Sequence, residues 1–197
     1  SQSRRARRSA QPLALVKAMR HLLASGLILA VSAATAEESH QPKKAAIEVV
    51  TQFVEGCFRR FPYPDEFAEW IKKQGYRKLS IEEAGALLPE KRGQAWAASS
   101  PNSSFVIVSL GRSDCTVFAS GLDEKMTKDM VTGFLGYLET QGASWTSDDI
   151  TPAGSGPGYS STDYSISVDG RHMASITLSI APPRPDAFQV AITVAKG

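Results

Sequence analysis

Apolar and hydroxyl residues alternate along much of the last forty residues of this 197-residue chain. The alternation runs over 164–168 and again over 174–180. A period of two puts every second side chain on the same face of a β-strand, and it does not fit the 3.6-residue period of a helix. Another apolar run, over 188–194, follows the proline-rich turn at 182–186. The sequence therefore predicts a β meander at the C-terminal end.

Apolar residues nearer the start recur at three- and four-residue intervals, which is typical of an amphipathic α-helix. Pro64 suits the first position of a second helix that stops at Gly75. Ser80 and Glu83 have the spacing of a capping box, which predicts a third, short helix. The first helix is predicted over 45–60, and its inward-facing residues are Ile47, Val50, Phe53, Val54, Cys57, Phe58 and Phe61.

The middle of the chain mixes the two patterns. The run over 105–110 is apolar on both faces and predicts a central strand, with further strands at 94–98 and 114–119. A long helix is predicted over 123–141, because acidic residues open it and a glycine follows it. A strand around Trp145 comes next. The inward stripe of the long helix is Met126, Met130, Val131, Phe134 and Leu138. Early helices and late strands predict an α+β domain with a mostly antiparallel sheet.

The loop between the strands at 164–168 and 174–180 decides which face His172 occupies. A two-residue loop, Asp169-Gly170, sets the apolar residues of the two strands on opposite faces. A three-residue loop that adds Val168, with Gly170 left-handed, keeps them on one face. We therefore expect the three-residue loop, with His172 at the turn end of the inward face.

Residues 1–36 contain the three parts of a secretory signal peptide. They carry six Lys and Arg and no acid, then an apolar run over 22–31, then small residues that end at Ala36. The apolar run is shorter than the ~20 residues of a membrane-spanning helix. The first methionine, Met19, opens a complete signal without residues 1–18. A retained anchor and a basic transit peptide are the alternatives.

Cleavage after Ala36 leaves a polar, flexible leader over 37–44 and a single domain over 45–197. The whole chain has a net charge of +2, but the part after Ala36 has 16 basic and 20 acidic residues, a net charge of −4. A mildly acidic domain without a basic stripe is a poor nucleic-acid binder. We therefore expect an exported protein, periplasmic or secreted, with no nucleic-acid partner and no membrane span after cleavage.

Cys57 and Cys115 are the only cysteines. An even pair in an exported chain predicts a disulfide. Cys57 lies on the apolar face of the first predicted helix, and Cys115 shares a strand face with Val117. A disulfide from this helix to the sheet is therefore geometrically feasible. The alternative is two buried thiols. A catalytic cysteine is disfavoured because neither residue has an activating neighbour pattern.

Few residues of the chain are candidates for catalysis or metal binding. After cleavage only His40 and His172 remain as histidines. His172 with Asp163 or Asp169 is a weak candidate for an acid/base or metal site. One ordered histidine and no free cysteine do not make a usual zinc ligand set. The side chains of two adjacent acidic residues point in different directions on a helix or a strand, so such a pair does not supply two carboxylates to one site. The sequence also contains no phosphate-binding motif and no serine-hydrolase motif.

The sequence thus predicts no catalytic residue, no cofactor and no metal. The expected function is that of a small exported binding domain, for instance a modulator of another protein of the envelope or extracellular space. A small hydrolase using His172 with Asp163 or Asp169 is the first alternative. An envelope structural component is the second.

Overall fold

The computed structural model describes residues 41–88, 92–111, 113–184 and 187–197. The predicted signal, its cleavage at Ala36 and the leader residues 37–40 lie outside this range. The helices are α1 (Gln41–Gln52), a π-helix (Phe53–Phe58), α2 (Pro64–Gln74), α3 (Ile81–Ala84) and α4 (Glu124–Thr140). The strands are β1 (Arg77–Lys78), β2 (Gln94–Ser99), β3 (Ser104–Ser109), β4 (Asp114–Ala119), β5 (Ala143–Asp149), β6 (Ser160–Val168), β7 (Arg171–Ile180) and β8 (Val190–Lys196).

The eight strands form one antiparallel sheet in the order β1-β2-β3-β4-β8-β7-β6-β5. Strands β1 to β4 make one meander and β5 to β8 make a second, and β8 pairs with β4 to join them. Helix α4 connects the two meanders. The predicted α+β fold with a C-terminal β meander is confirmed.

The helices lie on both faces of the sheet, but very unequally. Residues of α1, the π-helix, α2 and α4 share one large core with strands of both meanders. The opposite face has only a small cluster at the β2–β3 end, where Ala84 and Leu88 pack on Ala95 and Val108. The sheet therefore has one face covered by helices and one face covered at a single end.

The first helix differs from its prediction in start and in register. It begins at Gln41, so residues 41–44, expected in a flexible leader, form its first turn. Ile47, predicted inward, is 44% exposed. Val50 and Phe53 are buried as predicted, and they are joined in the buried stripe by Ala45, Ala46 and Val49, which the pattern had not placed inward. Alanines let the helix approach its neighbours closely, and Ile47 is left one position outside that stripe.

A π-helix replaces the last turns of the predicted first helix. Arg59 N donates to Val54 O at 3.0 Å, and Phe61 N donates to Gly56 O at 2.9 Å, so the bonds span five residues. Such insertions are short and shift the side chains that follow. Here Cys57 and Phe61 are buried while Phe58 is only half-buried.

In α4 the inward stripe is centred differently from the prediction. Val131 is buried as expected, and Thr127 and Leu135 are buried completely beside it. The remaining predicted members are only half-buried at the flank of the core: Met126, Met130, Phe134 and Leu138. Asp123 caps the helix by accepting from Met126 N at 2.7 Å.

The hairpin between β6 and β7 has the two-residue loop Asp169-Gly170, and the predicted three-residue loop is wrong. Both loop residues are left-handed, with φ of 51° and 72°. Val168 pairs with Arg171, and the register then shifts between Ile166 and Ser167. This bulge adds the one residue that returns the apolar side chains of the two strands to the same face.

Cys57 and Cys115 form the predicted disulfide, with Cα atoms 5.3 Å apart. Both residues are completely buried. The bridge fixes the π-helix to β4, a central strand of the sheet. The helical segment that precedes the sheet is thereby covalently attached to it.

Candidate functional site

The sheet face that turns away from α1 and α4, over strands β4, β8, β7, β6 and β5, is mostly half-exposed, although Thr116 and Ser161 are buried. We call it the hydroxyl face. Its strand register brings the following side chains onto one surface: Asp114, Thr116, Phe118, Ala191, Thr193, Ala195, Ser175, Thr177, Ser179, Ser161, Asp163, Ser165, Ser144, Thr146 and Asp148. Neighbouring strands lie about 4.8 Å apart, so the five strands span about 19 Å.

Short polar side chains on this face lie within hydrogen-bond distance of one another across the strands. The hydroxyls of Thr116 and Thr193 lie 2.9 Å apart across β4 and β8. Those of Ser161 and Ser179 lie 2.8 Å apart across β6 and β7. The surface is therefore held in place before any ligand arrives.

The hydroxyl face is acidic. Asp114, Asp148 and Asp163 belong to it, and the set contains no Lys or Arg. Thr177 Oγ1 donates to Asp163 Oδ1 at 2.8 Å. Asp149, next along β5, points to the other side of the strand, so this acid pair diverges as predicted. Hydrogen bonds from the Thr151 hydroxyl and N–H hold the pKa of Asp149 below its usual range.

His172 lies at the turn end of this face, so its predicted position on the inward apolar face is wrong. The register shift moves it across the strand, because it pairs with Ser167 and not with an apolar residue. Its exposed ring lies with Nδ1 3.1 Å from Ser165 Oγ. Asp163 is on the same face but is bonded to Thr177, while Asp169 sits in the turn itself. The three predicted site residues are thus near each other without being joined.

A serine hydroxyl beside a histidine has the composition of a nucleophile and a base. Catalysis by such a pair requires a third group that orients the histidine and donors aimed at a developing oxyanion. Ser165 and His172 sit on an open strand surface, and no carboxylate of the described residues bonds to the ring.

The structure also contains a shallow groove of about 310 Å³ between α1, the π-helix and α4. Its floor is apolar and includes Val54, Met130 and Phe134. Its two acids are already paired: Glu55 lies 2.7 Å from Arg59 and 2.8 Å from Arg60, and Asp129 lies 2.6 Å from Lys125. The hydrogen bond from Arg60, with its positive charge, keeps the pKa of Glu55 below its ordinary value.

Within residues 41–88, 92–111, 113–184 and 187–197, no group of three or more His, Cys, Asp or Glu side chains is arranged to hold a metal ion. No helix in that part of the chain is long and apolar enough to cross a membrane.

Sequence reasoning missed most of the hydroxyl face. Thr116, Thr177 and Thr193 come from three strands that are far apart in sequence, and only the strand order puts them in one row. A partial signal was present in the alternation itself, because the polar positions of β6 and β7 hold serines and threonines where an ordinary exposed face holds charged residues.

Comparison with known proteins identifies no relative, since no family model, no curated protein and no solved structure matches the chain.

Proposed function

We propose that the protein is an exported binding domain that holds another protein of the envelope or extracellular space on its hydroxyl face, as a modulator of that protein. The observation that supports this proposal is the set of short hydroxyl side chains over five strands, two pairs of which already lie within hydrogen-bond distance of each other. Ordering long side chains costs about 0.5–1.5 kcal/mol each when a partner binds, whereas serine and threonine cost little. The acidic charge favours a partner surface that presents Lys or Arg.

The binding face can be tested by photo-crosslinking in the native host. A photoreactive residue at Ser175 lies near the middle of the hydroxyl face, and one at Thr193 lies on the next strand. Both positions are expected to capture the same partner protein. The matched control is Lys73, which is exposed on α2 behind the sheet and should capture nothing in common with them.

Ser175→Arg supplies a second arm of the test. A long cationic side chain at the centre should abolish the adduct formed at Thr193, whereas Ser175→Ala should keep it. An adduct that forms equally well from Lys73, or none from either face position, contradicts the proposal. The second outcome would favour an envelope structural component.

The hydrolase alternative predicts a different result for His172. A general acid or base contributes about 10²–10⁴-fold in rate, so its loss is easily measured. We expect His172→Ala to leave partner capture unchanged and wild-type protein to turn over no esterase, peptidase, glycosidase or phosphatase substrate. Turnover that collapses in His172→Ala would establish the hydrolase.

Export is the other part of the proposal. The disulfide is compatible with an oxidising compartment, where such bonds persist. Protein recovered from its native host is expected to start at Glu37, within two or three residues, because Ala36 completes the small-residue cleavage site. N-terminal sequencing measures this directly. Exported protein that retains Met19 would contradict the signal assignment.

A further inference from the structure

The two edges of the sheet are built very differently. At one edge, β1 is two residues long and consists of Arg77 and Lys78. At the other, β5 has seven residues, and all of them pair with β6 in one regular register. Among the described residues no other strand adjoins the outer side of β5. Edge strands are normally shortened or protected by charged residues, proline or a bulge, and β5 has charged residues only at its end, Asp148 and Asp149.

The β5–β6 pairing defines which backbone groups of β5 face outward. Ile150 N donates to Ser161 O at 2.9 Å, immediately beyond the end of β5. Hydrogen-bonded pairs alternate along an antiparallel ladder, so the even-numbered residues of β5 point their N–H and C=O groups toward β6. The outward row therefore belongs to Ala143, Trp145, Ser147 and Asp149.

We propose that β5 pairs antiparallel with β5 of a second copy of this chain, about a two-fold axis at Thr146. This register joins outward residues to outward residues, because Trp145 falls opposite Ser147 of the second copy and Ala143 falls opposite Asp149. It uses the whole strand and produces one continuous sixteen-stranded sheet. The proposal concerns the backbone edge of β5, of which Ser144, Thr146 and Asp148 also belong to the hydroxyl face, and it does not depend on the binding of another protein there.

The charges of β5 are compatible with this register. Asp148 and Asp149 fall opposite Ser144 and Ala143 of the second copy, so no acid faces an acid. A parallel pairing in register would set the aspartates of the two copies side by side, and like charges at that spacing are destabilising. The hydroxyl of Ser144 becomes a donor within reach of Asp148 on the same face.

Trp145 gives a second, independent reason. Trp145 pairs with Ile166 and Ser147 pairs with Tyr164, so both side chains lie on the helix side of the sheet. The Trp145 ring is half-buried and meets the Tyr164 ring with centres 5.8 Å apart. In the proposed register Ser147 of the second copy lies opposite Trp145 on that side, so its side chain would cover part of the exposed ring.

The test is the mass of the purified, disulfide-bonded protein by sedimentation equilibrium over a range of concentrations. Wild type should approach the mass of two chains. Ser147→Pro removes only an outward N–H, which an edge strand tolerates, and should yield single chains. Thr146→Lys puts two like charges together at the axis and should raise the dissociation constant about twofold to fivefold. Ser175→Lys, two strands inward on the same face, is the matched control and should dimerise like wild type.

A cross-link tests the register itself. The Cα atoms of Thr146 in the two copies should lie about 4.5 Å apart, within the range that a disulfide spans. Thr146→Cys should therefore form a covalent dimer on mild oxidation, and Ser175→Cys should not. Single chains at every concentration, or a dimer unaffected by both Ser147→Pro and Thr146→Lys, would overturn the proposal, whatever the outcome of partner capture at the hydroxyl face.

Discussion

Removal of the disulfide is expected to lower the free energy of unfolding by about 4 kcal/mol. The bridge closes a loop with a sequence separation of 58, and the chain-entropy relation for that length gives about this value. The comparison uses Cys57→Ala with Cys115→Ala, because alanine leaves no thiol and no unsatisfied hydroxyl in a site that is completely buried. Urea unfolding measures the difference from wild type.

Reduced wild-type protein provides the control for lost packing. The double alanine variant and reduced wild type lack the same constraint on the unfolded chain, so their stabilities should agree within about 1 kcal/mol of each other. Oxidant should restore the wild type and leave the variant unchanged. If reduced and oxidised wild type unfold at the same urea concentration, the bridge does not stabilise the domain, and its attachment of the π-helix to β4 has another role.

The Cys57–Cys115 bridge was predictable, because the prediction needs only a signal-like pattern near the start of the chain, an even cysteine count and two apolar faces. The strands β2, β3 and β4 and the helices α2 and α4 were predictable for a similar reason, since their apolar spacing or caps lie within short windows. Gly75 has a φ of 71°, as expected of a residue that ends a helix.

Features that depend on pairing were beyond sequence reasoning. The sequence contains no sign of the bulge near Ser167. The bulge nevertheless moves the His172 side chain to the opposite face of the sheet. The two-residue loop had been set aside because a regular ladder cannot reconcile it with the apolar pattern. The π-helix could not be predicted either, because the spacing of Phe53, Cys57 and Phe61 also fits the buried stripe of an ordinary α-helix. The hydroxyl face required the strand order, which no local window contains.

The π-helix brings Gly56 against an aromatic cluster that leaves no space. A Cβ built on Gly56 would overlap the Trp70 indole, whose Cζ2 atom lies 3.0 Å from that position. Trp70 cannot withdraw, because it stacks on Phe67 with ring centres 5.9 Å apart and meets the Tyr76 edge at 5.5 Å. Phe67 in turn contacts Trp96 at 5.6 Å.

Gly56→Ala is therefore expected to destabilise the domain by at least about 3 kcal/mol, the upper part of the range for overpacked cores. Gly136→Ala is the matched control, since its new Cβ meets no atom within 4 Å and replacing a mid-helix glycine should stabilise by about 0.5–1 kcal/mol. Trp70→Phe should recover part of the loss in the Gly56→Ala background, while destabilising wild type. Urea unfolding of the four combinations gives the coupling energy between the two positions. A coupling energy near zero, or an unchanged free energy of unfolding in Gly56→Ala, would contradict the prediction. Either result would mean that the π-helix backbone at Gly56 is not packed tightly against Trp70.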